Sequence, residues 1–192
     1  MEKLPRIIDC EFSNIYGETV VGVLVPMSSL TREKITTDIE DFANKIKKEK
    51  TVKIEEFKKQ LEDENLSIEE LRDVDTKSKV FDILMESGKP TTEEEINKYI
   101  TKHAKILVNN KTNDELINGI ATKKTEMELT TKLGLKTIGY TIFYSLRTKD
   151  DKRVRLYDKP DLFLDEITNE TLLELYNLYN KDIDIKEEEV KN

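Results

Sequence analysis

Two acidic residues near the start of the sequence, Asp9 and Glu11, have the spacing of a metal-binding pair. They lie in "RIIDCEF", residues 6–12, an apolar stretch typical of a β-strand. Alternation along a strand would place both carboxylates on one face, about 6–7 Å apart, where their oxygens could hold Mg²⁺. The same alternation also fits the first arm of a hairpin, with the two acids on its polar side. The rest of the chain has to decide between these interpretations.

A metal-dependent nuclease would need more ligands than this pair. Asp114 in "LVNNKTNDELI", with Tyr157 and Asp161 in "YDKPD", completes a set that resembles the DEDD family of 3′–5′ exonucleases, in which carboxylates from separate elements hold Mg²⁺ ions. Long amphipathic helices, however, occupy the sequence that would have to supply the sheet of that fold. Pro160 also interrupts the helix that the spacing from Tyr157 to Asp161 requires. We therefore interpret the first pair as polar hairpin residues and keep a divalent-metal-dependent exonuclease as an alternative.

Other residues with reactive side chains are few. The chain has one cysteine and one histidine, and it contains no glycine-rich phosphate loop and no G-x-S-x-G elbow. A single cysteine, Cys10, excludes an internal disulfide and has no histidine partner in a motif. His103 falls at helical spacing with Tyr99, Ile100 and Leu107, which favours packing over catalysis. We predict a protein that is not an enzyme and that has no metal and no cofactor.

The composition indicates a helix-rich chain with a lean core. Of the 192 residues, 36% are hydrophobic and 38% are charged, and the net charge is −8. The negative charge argues against nucleic acid as a partner, because such affinity comes largely from clustered lysine and arginine. No apolar run reaches the ~18 residues of a membrane span. We expect a cytoplasmic protein with no membrane association.

The first elements of the chain are predicted to be a β-hairpin and a long charged helix. Residues 6–13 and 19–26 are rich in β-branched and apolar side chains around the turn "NIYGE". In "SSLTREKI", Thr31 is predicted to cap a helix, with Leu30 and Ile35 as its hydrophobic staple. Apolar residues then keep helical spacing through residues 31–63, either as one helix or as two collinear helices.

Further capping signals predict helices in the rest of the chain. Ser67 with Glu70, and Thr92 with Glu95, have capping-box spacing. Residues 129–146 fit both a strand pattern and a helical one, and we favour a helix. Its glycines, 134 and 139, weaken that helix or permit close helix packing. Two terminal helices follow, the first with Pro160 in its first turn.

The predicted fold class is α+β and mainly α, with an N-terminal β-hairpin followed by a multi-helix bundle that includes one long charged helix. We assign residues 1–28 to the hairpin, residues 29–182 to the helical domain and residues 183–192 to a flexible acidic tail. The tail in "KDIDIKEEEVKN" is expected to fray.

The order of these elements resembles that of small bacteriophage tail assembly chaperones. The hairpin and its junction "VPMSSLTREK" resemble the start of that family, and "GYTIFYSLRTKDDKRVRLYDKPDLFLDEITNETLLELYNLYNKD" resembles its late region. The resemblance implies non-catalytic binding of a tape-measure, tail-tube or other virion protein in the host cytoplasm, or a structural role in the virion. A homo-oligomer remains an option. An acidic phage-encoded inhibitor of a host nucleic-acid enzyme is a second alternative.

Two groups of residues are candidates for contact with such a partner. In the last helix, Tyr176 and Tyr179 lie three residues apart on an apolar stripe, and tyrosine is common at protein interfaces. The stripe is also typical of a core. The second group comes from the preceding helical segment and consists of Tyr140, Phe143, Tyr144 and Arg147.

Overall fold

The computed structural model of the chain confirms the α+β, mainly α fold class. It describes residues 7–104, 107 and 109–190, and side chains within that part as far as residue 181. The structure is 69% helical. The strands are β1 (Ile8–Ser13), β2 (Thr19–Leu24) and β3 (Leu146–Arg147), and the helices are α1 (Ser29–Asp63), α2 (Ile68–Glu86), α3 (Glu93–His103), α4 (Asn113–Ser145), α5 (Pro160–Glu166) and α6 (Asn169–Val190).

The chain forms two compact units. The first contains residues 1–45 and 131–192, and the second contains residues 46–130. This division differs from the boundaries expected at residues 28 and 182, because the hairpin shares a core with helical residues. The segment 183–192, expected to be a flexible tail, is helical as far as Val190. Its last two residues lie outside the described part of the chain.

The first unit contains a three-stranded antiparallel sheet in the order β1-β2-β3. The predicted hairpin is confirmed, since Ile8 pairs with Leu24 and Ser13 with Thr19. Its turn is fixed by Asn14, whose side-chain oxygen accepts hydrogen bonds from the backbone N–H of Tyr16 (3.0 Å) and Glu18 (2.9 Å). The short strand β3 was not predicted, because the local pattern fits both a strand and a helix and we favoured a helix through residue 146.

The core of the first unit joins the sheet to helical segments from both ends of the chain. Its buried side chains exclude water over a large apolar area, which is the main stabilising contribution in such a domain. They are Cys10, Phe12, Leu24, Ile35, Ile142, Phe143, Tyr144, Leu146, Phe163, Ile167, Leu172, Leu175 and Tyr179.

The start of α1 corrects the predicted cap. Ser28 is the capping residue, because its hydroxyl accepts a hydrogen bond from the backbone N–H of Thr31 at 3.2 Å. Thr31 therefore lies inside the helix, and the predicted staple is absent, since Leu30 is 75% exposed. From this cap the helix runs without a break to Asp63, so residues 31–63 belong to one helix.

The second unit has a smaller apolar cluster around Leu71, Leu116 and Ile117. The predicted capping box of Ser67 and Glu70 is confirmed at the start of α2. The start of α4 has the same arrangement, in which the backbone N–H and hydroxyl of Thr112 donate to the Glu115 carboxylate and the Thr112 hydroxyl caps the helix; this was not predicted.

The predicted packing role of His103 is confirmed in α3. Its ring lies 4.3 Å, centroid to centroid, from that of Tyr99 on the preceding turn. Within the part of the chain that is described, no helix combines the length and apolar character needed to cross a bilayer.

Candidate functional site

The structure divides the predicted partner-binding residues between the core and the surface of the first unit. Phe143, Tyr144 and Tyr179 are buried, with exposures of 2%, 3% and 5%. Their rings therefore stabilise this fold and are not available to a partner. The other three residues, Tyr140, Arg147 and Tyr176, are partly exposed. Partner binding by these three stays a prediction.

The buried aromatic rings make directional contacts within the core. Phe143 and Tyr144 pack edge to face at 4.9 Å, and Tyr144 also meets Tyr140 edge to face at 6.4 Å. The Tyr144 hydroxyl donates to the Asp38 carboxylate at 3.3 Å. The Tyr179 hydroxyl, by contrast, has no hydrogen-bond partner among the described residues. Adjacent aromatic residues on a helix can thus indicate a core as readily as an interface.

The acidic residues of the nuclease hypothesis do not form a metal-ligand cluster in the described part of the chain. Asp9 and Glu11 are exposed on β1, whereas Cys10 and Phe12 between and beside them are buried, so the predicted alternation is confirmed. The Asp161 carboxylate accepts a hydrogen bond from Lys136 at 2.9 Å. No group of three or more histidine, cysteine or acidic residues that could hold a metal ion occurs among the described residues.

A groove of about 410 Å³ lies between β1 and the last helix. Phe12 and Leu175 are buried at its base, and Leu178, 36% exposed, supplies an accessible apolar wall. On α6 the lining residues recur at intervals of three and four, so they form one face of the helix. The complete lining is Glu11, Phe12, Thr171, Glu174, Leu175, Asn177, Leu178 and Lys181.

Among the described residues, nothing pairs with the edge of β1 that faces away from β2. The backbone N–H of Asn14 donates to the carbonyl of Glu18, its partner across the turn, and the backbone N–H of Val25 donates to the carbonyl of Ser145, on the side of β3. Because hydrogen-bonded and non-bonded pairs alternate along an antiparallel hairpin, these two bonds fix which residues bond to which neighbour. Even-numbered residues of β1 therefore bond to β2, whereas the N–H and C=O groups of Asp9, Glu11 and Ser13 point outward. Outside the ladder, these three residues have no backbone hydrogen bond among the described residues.

The open edge is closed at one end by the rest of the first unit. The backbone N–H of Ile15 donates to the carbonyl of Glu166 at 2.9 Å, just before α6 begins. The accessible edge is therefore short and lies beside the groove. Glu11 and Glu174 give the lining two negative charges against one positive charge on Lys181. This surface therefore offers backbone hydrogen-bonding groups, an apolar wall and a net negative charge.

Sequence reasoning identified part of this surface. It placed Glu11 on the polar side of the hairpin and found an apolar stripe on the last helix, but it did not bring the two elements together. The missed residues, Thr171, Glu174 and Leu178, carry one weak signal: they share a helix face with Leu175.

Cys10 lies close to this surface but is not available for chemistry. Burial, and then the negative charge of Asp9, raises the pKa of its thiol to about 11. Since the thiolate is the reactive form, this cysteine is a structural residue.

In comparisons with known proteins, the chain matches no family model, no curated protein and no solved structure.

Proposed function

We propose that this protein is a non-catalytic binding protein that holds an extended segment of another protein in the groove between β1 and α6. The observation that carries the proposal is the open backbone edge at Asp9, Glu11 and Ser13 beside an apolar wall. Addition of a strand to such an edge is a recurring mode of peptide recognition, in which main-chain hydrogen bonds give affinity and side-chain pockets give specificity.

The groove favours particular side chains in the bound segment. Leu178 offers an apolar contact that is only partly covered in the free protein. The carboxylates of Glu11 and Glu174 favour a lysine or arginine nearby. Each backbone hydrogen bond to the edge would add about 0.5–1.5 kcal/mol net. The expected ligand is therefore an extended segment with at least one apolar and one basic side chain.

The partner class rests on the resemblance to bacteriophage tail assembly chaperones. Such a protein must hold apolar segments of its client without catalysis, and a strand edge beside a helix suits that task. We propose a tail or other virion protein as the partner, bound in the host cytoplasm. Pairing of two copies through β1 is disfavoured, because an antiparallel pair centred on Glu11 would oppose two like charges.

A matched pair of leucine variants on α6 tests the groove. Leu178→Asp introduces a charge into the lining, and Leu173→Asp introduces the same charge at a residue that is 43% exposed but does not line the groove. We expect Leu178→Asp to reduce capture of a co-expressed tail protein by about tenfold or more, as for loss of a central interface contact. Leu173→Asp should leave capture unchanged.

A second pair tests the strand edge itself. Glu11→Pro removes an outward N–H without removing a hydrogen bond of the ladder, a position where strands tolerate proline. Glu11→Gln removes the same charge and keeps the N–H. If the edge binds the segment, proline abolishes capture and glutamine only weakens it, with circular dichroism unchanged in both. Equal capture by the proline variant and the parent, or failure of the parent to bind any tail component, would refute the proposal.

A further inference from the structure

Two arginines face each other at the edge of the sheet opposite β1. Arg147 in β3 forms an isolated antiparallel bridge with Arg155, which extends the sheet by one residue. Residues directly opposite in an antiparallel pair have Cβ atoms about 4.5–5.5 Å apart and point to the same face. The Cβ atoms of the two arginines therefore lie on one face of the sheet.

A hydrogen-bonded turn holds the two arginines in register. The backbone N–H of Thr148 donates to the carbonyl of Val154 at 3.0 Å, and that of Val154 donates to the carbonyl of Asp151 at 2.9 Å. The Thr148 hydroxyl also donates to the Asp151 carbonyl at 2.7 Å. Because the turn is fixed by its own backbone, the arginine pair is preorganised.

Aromatic rings of the core support the exposed member of the pair. The guanidinium carbon of Arg155 lies 4.8 Å from the ring centroid of Tyr144 and 5.4 Å from that of Phe143. The ammonium of Lys34 lies 5.4 Å from the same Tyr144 centroid. Arg147 donates one N–H to the carbonyl of Leu146 at 2.8 Å, which leaves the rest of its fork for another acceptor.

No carboxylate of the described residues lies within ion-pair distance of either arginine. Asp9 lies in the same row across the sheet, because Val23 pairs with Asp9 on one side and with Arg147 on the other. Val23 therefore separates Asp9 from Arg147. The Asp9 carboxylate instead lies 3.9 Å from the ammonium of Lys149. Like charges directly opposite each other destabilise a sheet. Burial, and then the charge of Arg155, lowers the pKa of Arg147.

We propose that Arg147 and Arg155 form a binding site for a dianionic phosphate group. Two arginines paired across the sheet can each donate two parallel N–H bonds to phosphate oxygens, and their combined charge matches a dianion better than a single carboxylate. The phosphate could be the free ion or a phosphomonoester on a partner. A nucleic-acid backbone, with one charge on each phosphate, matches the pair less well and is repelled by the net charge of −8.

This site is separate from the β1 groove and does not rest on the proposed function. It is tested by titration of the parent protein with inorganic phosphate at constant ionic strength, with sodium chloride as the reference. Binding to the folded state should raise Tm with phosphate but not with chloride or acetate. O-phosphoserine, titrated in parallel, distinguishes the free ion from a phosphomonoester. If it raises Tm as much as inorganic phosphate does, the site also accepts a phosphomonoester on a partner.

Matched variants identify the residues responsible. Arg155→Lys keeps the charge of an exposed residue but loses the planar fork, and we expect it to weaken phosphate binding about tenfold, as for loss of a bidentate contact. Arg147→Gln should have at least the same effect. Arg153→Gln, in the exposed part of the turn, should bind like the parent. No phosphate response in the parent, the same response to acetate, or equal losses in Arg153→Gln and Arg155→Lys would overturn the assignment.

Discussion

At the scale of single residues, Cys10 has a strongly raised pKa. It faces the core from β1, and its thiol has a pKa of about 11 because burial, with the charge of Asp9, disfavours the thiolate. At pH 8 only about one thiol in a thousand would be ionised, compared with about a quarter for an exposed cysteine.

This residue gives a direct probe of folding. We expect the native protein at pH 8 to resist thiol reagents such as iodoacetamide, because its one cysteine is both inaccessible and protonated. In denaturant the same reagent should label one thiol per chain. Rapid labelling of the native protein, followed by mass spectrometry, would show that β1 does not pack as described.

Asp75 in α2 is a buried acid held by two lysines. Its carboxylate accepts hydrogen bonds from Lys111 at 3.0 Å and Asn109 at 2.7 Å, and it pairs with Lys79 at 2.8 Å. Burial alone raises the pKa of this carboxyl, but the hydrogen bonds and charges of the lysines outweigh burial and leave the pKa lowered. The interaction is therefore a source of pH-dependent stability in the second unit.

A lowered pKa in the folded state fixes the sign of this dependence. The contribution of Asp75 is fully present well above the ordinary pKa of 3.8 and is lost as the pH falls through the lowered value. At pH 7, Asp75→Asn should reduce the free energy of unfolding by about 1–3 kcal/mol, through loss of charged hydrogen bonds.

The control for this prediction is Asp73→Asn, which removes an exposed acid paired with Lys77 on the same helix. It should change stability by less than about 0.5 kcal/mol. Urea unfolding at several pH values measures both effects, and the deficit of Asp75→Asn should shrink below pH 3.8. A deficit that is constant with pH would mean that Asp75 acts through packing alone.

Within α4, two glycines five residues apart differ in their surroundings. A Cβ at Gly139 would overlap the side chain of Leu164 in α5, whereas a Cβ at Gly134 would meet nothing within 4 Å. Close packing, predicted as an option for both, is thus confirmed at Gly139 alone.

Alanine substitutions should separate the gain in helix propensity from the steric overlap with Leu164. Gly134→Ala is expected to stabilise the protein by about 1 kcal/mol, since alanine has the higher helix propensity and space is open. Gly139→Ala gains the same propensity but forces Leu164 to move, which offsets the gain, so it should be less stable than Gly134→Ala by about 1 kcal/mol or more. Thermal unfolding compares the pair, and equal Tm values would show that α5 yields without cost.

The elements that could be predicted from the sequence are those whose signals are local. The turn at Asn14 and the capping box of Ser67 and Glu70 involve groups within four residues of each other. The strand β3 could not be predicted, because it depends on pairing with β2 about 120 residues away. Its partners on β2 are Val23 and Leu24, and at Gly22, just before them, a Cβ would lie 3.0 Å from the Arg147 carbonyl oxygen.

Candidate site residues could likewise be predicted only where their signals are local. The exposed pair Asp9 and Glu11 was assigned to the polar side of β1 from alternation alone. Arg155, by contrast, was not identified, because its support on Phe143 and Tyr144 depends on the return of the chain after β3. Local periodicity gives the face on which a residue lies, but not what covers that face.

At the scale of the whole molecule, composition and periodicity were sufficient for the fold class. A chain with 38% charged residues and repeated capping signals forms long helices with solvated outer faces, as predicted. The division into two units was not predictable in this way, because both α1 and α4 contribute residues to each unit without a glycine-rich or proline-rich linker.

The first unit is built from two segments that are far apart in the sequence, and this has a consequence for synthesis on the ribosome. Residues 46–130 are contiguous and are all translated before residues 131–192, on which the first unit depends. An isolated two-stranded hairpin is marginally stable in water, so β1 and β2 must wait for α6 to emerge. During that interval Cys10 and Phe12 lack their cover. We expect the nascent hairpin to be accessible to oxidants and chaperones in that interval, and translation of the later helices to end that exposure.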